Sequence, residues 1–269
     1  HTAIVPRWMP ALTLRDYQVA AVEAARTRNL LVVLPTNAGK TLISVALIEH
    51  KLYEENEREL RDDEDSRRKI LFLAPYKALA QQQAKVLLEQ IGPLQLEETR
   101  VADGDGSLWR LGLVVGSGEL PMVEAVRTRQ VIVCTPSIFE EALMLGRLEM
   151  ADIALLVLDE AHHARGSAPY KTMLDNFYKT CEARPRVLAL TASPVENAQD
   201  AQPDAEDFLR NLRKFEAQLD CGAWSRPVDR SIVPHAQPIA LEYVGRVQPS
   251  QLSDDVLAVL RAAAPTHAA

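Results

Sequence analysis

Short apolar runs alternate along the chain with stretches of helical periodicity. In the helical stretches apolar residues recur three or four positions apart, as at Leu42, Val45 and Ala46. The apolar runs have the length of buried strands and occupy residues 30–34, 70–74, 111–115, 131–134, 153–158 and 187–190. This alternation predicts an α/β fold, in which a parallel sheet is covered by helices on both faces. Ligands of such folds bind beyond the carboxyl ends of the strands.

The pattern changes after Pro194. Apolar residues then recur at helical spacing at Phe208, Leu212, Phe215 and Leu219, which predicts an amphipathic helix packed on the core rather than a helix that binds a partner. Prolines in residues 226–244 predict an extended connector, and residues 252–260 begin another helical pattern. We therefore expect a main domain at residues 1–199, a helix and connector of the same domain at 200–245, and the start of a following helical domain or tail at 246–269.

Composition and charge narrow the class of protein. The 269 residues are 47% hydrophobic and 25% charged, as in ordinary soluble globular proteins. No apolar run approaches the roughly 20 residues that a membrane-spanning helix needs, so we expect no membrane contact and a cytoplasmic or nuclear location. The net charge of −7 argues against a free-standing nucleic-acid binder but permits a localised basic groove.

Three smaller features complete this picture. The three cysteines predict neither a disulfide framework nor a zinc site. Residues 54–69 are dense in charges of both signs, which predicts a solvated loop. The chain opens at His1 rather than at a methionine, and we expect it to be a piece of a longer protein.

A loop with the composition of a phosphate site follows the first predicted strand. Residues 34–41 read Leu-Pro-Thr-Asn-Ala-Gly-Lys-Thr and precede a helical pattern. Free backbone N–H groups at a helix start favour polyphosphate, so Lys40 would contact the β and γ phosphates and the Thr41 hydroxyl would bind Mg²⁺. Because Leu34 occupies the first position of the G-x-x-x-x-G-K pattern, the loop alone leaves an accidental Gly-Lys-Thr as the alternative.

An acidic pair, Asp159 and Glu160, directly follows the apolar run at residues 153–158. Desolvated carboxylates are costly unless a metal or hydrogen-bond donors meet them. Asp159 would complete the shell of the Mg²⁺ ion, and Glu160 would orient the attacking water. The alternative is a strand that simply emerges into solvent. The order of the two motifs within an alternating α/β pattern favours a nucleotide-hydrolysing site over both alternatives.

Two further segments add candidate side chains. Gln18, in a predicted helix before the loop, has the paired donor and acceptor that could read adenine, although a surface glutamine is the alternative. Thr191 and Ser193 follow the strand predicted at residues 187–190 and offer hydroxyls within reach of His162. The alternative for His162 is a histidine that merely ends a strand.

These residues resemble the first RecA-like domain of superfamily 2 helicases, in particular of the Dicer and RIG-I-like group. The resemblance spans residues 14–244 and is greatest to Dicer, in residues 162–170 and 185–194. It implies an adenine contact by Gln18 and an ATP-binding loop made of Thr36, Asn37, Ala38, Gly39, Lys40 and Thr41. It implies catalytic roles for Lys40, Asp159, Glu160 and His162, Mg²⁺ binding by Thr41 and Asp159, and coupling by Thr191 and Ser193. It implies nucleic-acid contacts by Pro75, Tyr76, Lys77, Gln82, Gly116, Thr135 and Pro136.

Two residues depart from the family pattern. Ala161 stands where many Dicers have cysteine, which changes no chemistry. Asn37 stands where the family nearly always has glycine. Asparagine enters left-handed backbone conformations at a cost of order 1 kcal/mol, so the loop can keep its shape. The alternative is that the Asn37 side chain crowds the phosphates and weakens ATP binding.

The resemblance implies an ATP- and Mg²⁺-dependent motor domain that acts on double-stranded RNA within a Dicer-like ribonuclease of RNA silencing. The second RecA-like domain of such motors supplies an arginine finger, worth about 10³ to 10⁵ in rate in related systems. We therefore expect this chain alone to bind nucleotide weakly and to be weakly active or inactive. The other readings are a DNA translocase of the repair type and a degenerate, non-hydrolysing module that holds RNA or protein. A simple P-loop kinase is the least favoured alternative, because the motifs at Thr191 and Pro75 would have no function in it.

Overall fold

The computed structural model describes residues 14–62, 68–91, 111–114, 122–164, 169–194 and 205–225. The helices are α1 (Asp16–Thr27), α2 (Lys40–Asp62), α3 (Lys77–Ile91), α4 (Met122–Thr128), α5 (Pro136–Met144), α6 (Pro169–Met173) and α7 (Ala205–Leu219). The strands are β1 (Leu30–Val33), β2 (Lys69–Leu73), β3 (Leu111–Val114), β4 (Val131–Cys134), β5 (Ile153–Leu158), β6 (Arg186–Thr191) and β7 (Gly222–Trp224). All six predicted strands are present, each within one residue of its predicted ends.

These strands form one sheet in the order β3-β4-β2-β5-β6-β1-β7, and every neighbouring pair is parallel. Because successive side chains of a strand point to opposite faces, Leu30 and Leu31 belong to different cores. The core on one face includes residues of α1, α2 and α3, and the core on the other includes residues of α4, α5, α6 and α7. The predicted α/β fold with helices on both faces of a parallel sheet is confirmed.

The C-terminal part of the described chain belongs to the same fold. Helix α7 buries Leu212, Phe215 and Leu219 in the second core, as its spacing predicts. The sequence analysis did not predict β7, which pairs with β1 from Leu30 opposite Gly222. A strand of three residues is too short to produce a recognisable pattern of alternation.

Residues 54–62 correct one prediction, because they are the last nine residues of α2 and not a loop. Two charged side chains at the start of this segment, Glu54 and Glu55, are paired. Glu54 accepts hydrogen bonds or ion-pair contacts from His50 and Lys51, and the buried Glu55 accepts from the side chain of Arg68 at 2.7 Å. Charged residues three or four positions apart stabilise a helix, which accounts for the extension of α2.

Several predictions fall outside the described residues. These are Gly116, the connector at residues 226–244 and the helical pattern at 252–260, so the domain boundaries at 199 and 245 stay predictions. Within the described ranges, none of the helices combines the length and the apolar character that a bilayer-crossing segment requires.

Candidate active site at the carboxyl edge of the sheet

Three predicted segments meet at one edge of the sheet. The loop after β1, the acidic pair after β5 and Thr191 at the end of β6 lie side by side, because β6 lies between β5 and β1. The register pairs Val33 of β1 with Thr191, and Leu158 of β5 with Ala189. Residues separated by more than 100 positions in the sequence are therefore neighbours in space.

The loop between β1 and α2 makes a tight turn. The Ala38 N–H donates to the Pro35 carbonyl at 3.2 Å, and the Leu34 N–H donates to the Thr191 carbonyl at 3.1 Å. Asn37 and Gly39 both have left-handed backbones, with φ of 63° and 77°. Asn37 thus adopts the conformation that the sequence analysis expected of it. Its side chain is exposed at the tip of the loop.

Helix α1 holds this loop through two backbone carbonyls. The Tyr17 hydroxyl donates to the Ala38 carbonyl at 2.7 Å, and Gln18 Nε2 donates to the Gly39 carbonyl at 3.2 Å. Gln18 is buried and its Oε1 accepts from the Arg15 N–H at 2.8 Å, so it is not a surface glutamine. The φ of 77° at Gly39 would strain any other residue, and a Cβ atom there would lie 2.3 Å from Gln18 Nε2, so the Gln18 amide would have to shift.

The Lys40 side chain lies over the loop and beside the acidic pair. Its Nζ donates to the carbonyls of Leu34 and Pro35 at 3.0 and 3.3 Å. Burial lowers the pKa of the Lys40 ammonium, and the charges of Glu160 and Asp159 oppose that change. The predicted phosphate-binding lysine and the predicted acidic pair therefore belong to one electrostatic site.

The Asp159 carboxylate is 5% exposed and held by two donors. Oδ2 accepts from Gln83 Nε2 at 3.0 Å, and Oδ1 accepts from the Glu160 N–H at 3.0 Å. Burial, and then the Glu160 charge, raise the pKa of Asp159 to about 6, although these donors and Lys40 act in the opposite direction. A positive charge at this place would offset the burial of Asp159 and its repulsion by the neighbouring Glu160 carboxylate.

His162 connects the acidic pair to the end of β6. Its Nδ1 lies 3.1 Å from Thr191 Oγ1 and 3.3 Å from Glu160 Oε2. Thr191 is fully buried, and its hydroxyl also donates to the Ser193 carbonyl at 3.0 Å. The proximity of His162 to the Thr191 hydroxyl, which the sequence suggested, is present in the fold.

The residues predicted to contact nucleic acid occupy the other half of the same edge. Strands β2, β4 and β3 are consecutive in the sheet, and Pro75 to Lys77 follow β2 while Thr135 follows β4. Tyr76 is 59% exposed, and Lys77 and Gln82 are exposed as well. The Tyr76 hydroxyl lies 3.3 Å from His163 Nε2, and the two rings meet edge to face.

Pro136, a predicted nucleic-acid contact that stays a prediction, has a structural role at the end of β4. It is buried as the first residue of α5, where its fixed φ suits a helix start. Thr135 is only half-buried, so Thr135 and not Pro136 provides the exposed surface at the end of β4.

The donor set of this site fits Mg²⁺. The described residues contain no group of three or more His, Cys, Asp or Glu side chains that could enclose a metal. Mg²⁺ does not require one, since it keeps several waters and is bound through one or two carboxylates together with substrate phosphates. Asp159, with Thr41 in the first turn of α2, could provide this kind of partial shell.

Comparison with known proteins identifies the family. A model of the DEAD/DEAH box helicase family matches residues 15–201, a range that contains Gln18, the loop, the acidic pair and Thr191. The chain belongs to the DEAD/DEAH box helicase family. The prediction of a helicase-type domain is thereby confirmed.

The helicase chain is similar to several Dicer proteins. It is 32% identical over 235 residues to Dicer-like protein 1 of Neurospora crassa. The matched residues cover 86% of this chain and 14% of that protein. It is 35% identical over 192 residues to Dicer-like protein 1 of Neosartorya fischeri, covering 69% of this chain and 11% of that protein. It is 34% identical over 187 residues to Endoribonuclease Dicer homolog 3b of Oryza sativa, covering 68% of this chain and 10% of that protein. The helicase chain thus spans only a small part of these relatives.

The fold also matches a solved structure. The Hef helicase domain of Pyrococcus furiosus has a TM-score of 0.59 and 26% sequence identity, over 79% of this chain and 38% of that chain. The RecA-like helicase fold expected from the sequence is confirmed by this match together with the family model.

Sequence reasoning missed three side chains that contact the site: Tyr17, Gln83 and His163. Gln83 gave the clearest signal, because it occupies the buried face of α3, between Ala80 and Leu87. A glutamine on a buried helix face needs a polar partner, and the sequence could not identify Asp159, 76 positions away.

Proposed function

We propose that this helicase chain is the ATP-binding half of a double-stranded-RNA-dependent ATPase motor, within a Dicer-like ribonuclease. The observation that carries the proposal is the meeting of Lys40, the acidic pair and Thr191 at three neighbouring strand ends of a DEAD/DEAH box helicase. A lysine at a helix start and an acidic pair, of which Asp159 is buried, supply charges of both signs that are used in nucleotide hydrolysis.

Each side chain has one task in this proposal. Gln18 reads adenine, and residues 36–41 surround the phosphates with Lys40 against the β and γ groups. Thr41 and Asp159 hold Mg²⁺, which when bound neutralises charge on the phosphoryl oxygens. Glu160 orients the attacking water. His162, which contacts both Glu160 and Thr191, couples the hydrolysis site to Thr191 and Ser193.

The preference for RNA rests on the relatives and on the exposed residues beyond β2 and β4. The similar proteins are named Dicer, and one is named an endoribonuclease. Tyr76, Lys77, Gln82 and Thr135 would contact a duplex at the same edge of the sheet as the nucleotide, and Gly116, which is outside the described residues, is a further expected contact. Recognition would depend on duplex shape, because the deep, narrow major groove of RNA hides the bases.

Full activity would need a second RecA-like domain. Without the arginine that such a domain supplies, the loss in rate is about 10³- to 10⁵-fold in related systems. The chain by itself is therefore expected to bind nucleotide weakly and to be weakly active or inactive.

Two substitutions test this function. Lys40→Ala should abolish Mg²⁺-dependent ATP binding, because the charge that faces the phosphates is removed. Glu160→Gln should leave binding intact and, in a longer protein with both RecA-like domains, stop hydrolysis. Binding is measured by titration of a fluorescent ATP analogue into the chain with Mg²⁺ or with EDTA. Lys85→Ala, an exposed lysine of α3, is the matched control.

The outcomes separate the alternatives. ATP binding by Lys40→Ala equal to that of the unmodified chain would contradict the proposed site. Hydrolysis by the longer protein that is stimulated by duplex DNA and not by double-stranded RNA would instead indicate a DNA translocase.

Asn37 favours a second candidate function, a non-hydrolysing module that holds RNA or protein. Its side chain projects from the tip of the loop, while Lys40 is bonded to the loop carbonyls. If the asparagine blocks the phosphates, Asn37→Gly should bind ATP and the unmodified chain should not, in the same titration. Tight Mg²⁺-dependent binding by the unmodified chain excludes this module.

A further inference from the structure

Gln83 is a buried polar side chain that the roles described so far leave unused. It is 7% exposed and lies on the buried face of α3, among Ala80, Ala84 and Leu87. Its Nε2 donates to Asp159 Oδ2 at 3.0 Å, a contact in which both residues are buried. A hydrogen bond to a buried carboxylate is charge-assisted and stronger than one between neutral groups.

The other end of the same amide is unsatisfied. Gln83 Oε1 is buried and has no hydrogen-bond partner among the residues that the structure describes. A buried acceptor left unpaired loses its hydrogen bonds to water and gains none in return, so the position is unfavourable for folding alone. A metal ion beside Asp159 would carry water molecules, and such waters are donors that a buried acceptor can use.

Gln83 also fixes where Asp159 lies relative to the rest of the edge. The Asp159 N–H donates to the Leu73 carbonyl at 2.9 Å, and the buried Tyr170 hydroxyl lies 2.9 Å from the carbonyls of both residues. The backbone of Asp159 is thus fixed by β2 and α6, whereas the free torsion of its side chain is restrained by Gln83 and by the Glu160 N–H.

Helix α3 connects this restraint to the other half of the edge. Gln83 follows Lys77 by six residues, about 9 Å along a helix axis. Tyr76, just before the first turn, contacts His163, which follows the acidic pair. The start of α3 and the Asp159 segment are therefore joined by two side-chain contacts.

We propose that Gln83 is a positioning residue of the magnesium site, which holds the Asp159 carboxylate in one orientation and accepts a hydrogen bond from a metal-bound water. The inference rests on the proposed function, since it presumes that Asp159 binds the metal. Residues that orient a metal ligand in this way typically change metal affinity by 10- to 100-fold when they are replaced.

Metal binding, and not turnover, provides the test. Mn²⁺ is titrated into the full 269-residue chain loaded with a non-hydrolysable ATP analogue, and free Mn²⁺ is followed by electron paramagnetic resonance. Gln83→Met, which has similar length and no donor, should raise the Mn²⁺ dissociation constant roughly 10- to 100-fold. Binding of the analogue in EDTA should be unchanged. Gln90→Met, on the same helix, is the matched control and should bind Mn²⁺ as the unmodified chain does.

The Mn²⁺ titration distinguishes failure of this inference from failure of the proposed function. If the unmodified chain and Gln83→Met bind Mn²⁺ equally well, this inference is wrong and the proposed function stands. If the unmodified chain binds no Mn²⁺ with the analogue, the proposed function fails and this inference fails with it.

A second measurement avoids dependence on the folding of the variant. The side-chain NH₂ resonances of Gln83 are followed in the unmodified chain, labelled with nitrogen-15 glutamine, as Mg²⁺ is added to the nucleotide-loaded protein. The Gln83 resonances should shift while those of Gln90 remain in place. Gln83 resonances that do not move on metal binding would overturn the proposal.

Discussion

At the scale of single residues, the site depends on backbones that most residues avoid. Asn37 and Glu160 both have positive φ, and each lies just beyond the end of a buried strand. Left-handed backbones of residues other than glycine persist only where surrounding contacts fix them. At Glu160 those contacts include its own N–H bond to Asp159 and the approach of His162.

Glu49 is a buried carboxyl group that has no role in the proposed function. It lies in α2 at 8% exposure, and neither of its carboxylate oxygens has a hydrogen-bond partner in the described residues. Burial raises the pKa of Glu49 to about 8 from its ordinary value of 4.5. The folded protein therefore retains a proton that the unfolded chain releases at lower pH.

The pH dependence of stability follows with a definite sign. Between pH 4.5 and 8 the unfolded chain binds fewer protons at Glu49 than the folded chain does, so stability falls as pH rises. Glu49→Gln removes this effect. We expect its advantage in unfolding free energy over the unmodified chain to grow by about 3 kcal/mol from pH 5 to pH 8, measured by urea denaturation.

The control is Glu89→Gln, a change at an exposed position of α3. Its difference from the unmodified chain should stay constant over the same range. A constant difference for Glu49→Gln as well would show that Glu49 is ionised in the folded protein.

At the scale of elements, the sequence predicted most of the fold. The strands were recognisable because each is an uninterrupted apolar run, as at residues 153–158, and both faces of a covered parallel sheet are buried. The end of α2 and strand β7 were not recognisable. Pairing with Arg68 stabilises the charged end of α2, and β7 depends on its neighbour β1, and neither contact can be derived from local pattern.

The candidate site was predicted to a similar extent. Lys40 and the acidic pair could be placed at one edge, because parallel strands end on the same side. Contacts that side chains of helices α1 and α3 make with the site could not be predicted, because they depend on helix orientation. Tyr17 on the Ala38 carbonyl and Gln83 on Asp159 are the two examples with the greatest bearing on the site.

At the scale of the whole molecule, the folded unit extends past the family match. That match ends at residue 201, yet α7 and β7 follow it and complete one core and one edge of the sheet. Asn29, which precedes β1, connects the part of the chain inside the family match to the segment between α7 and β7. Its side-chain amide donates to the Tyr178 hydroxyl at 2.9 Å and to the Asp220 carbonyl at 3.0 Å.

Helix α7 should therefore contribute to global stability. Phe215 is 2% exposed in the second core, so Phe215→Ala should lower the unfolding free energy by about 3–5 kcal/mol. The measurement is urea denaturation followed by far-UV circular dichroism. Phe208→Ala is the matched control, since Phe208 is only half-buried on the same helix and should cost clearly less. Equal effects would indicate that α7 is not docked as described.

The strand order also separates the carboxyl edge of the sheet into two stretches. The loops after β1, β5 and β6 lie together, and those after β2 and β4 lie beside them, so few side chains belong to both. If Lys40 and Glu160 act as proposed, substitutions there should leave the surface around Lys77 structurally intact, because it lies beyond other strands. Gln83 and His163 make side-chain contacts between the two stretches, so substitutions at these two positions should affect both.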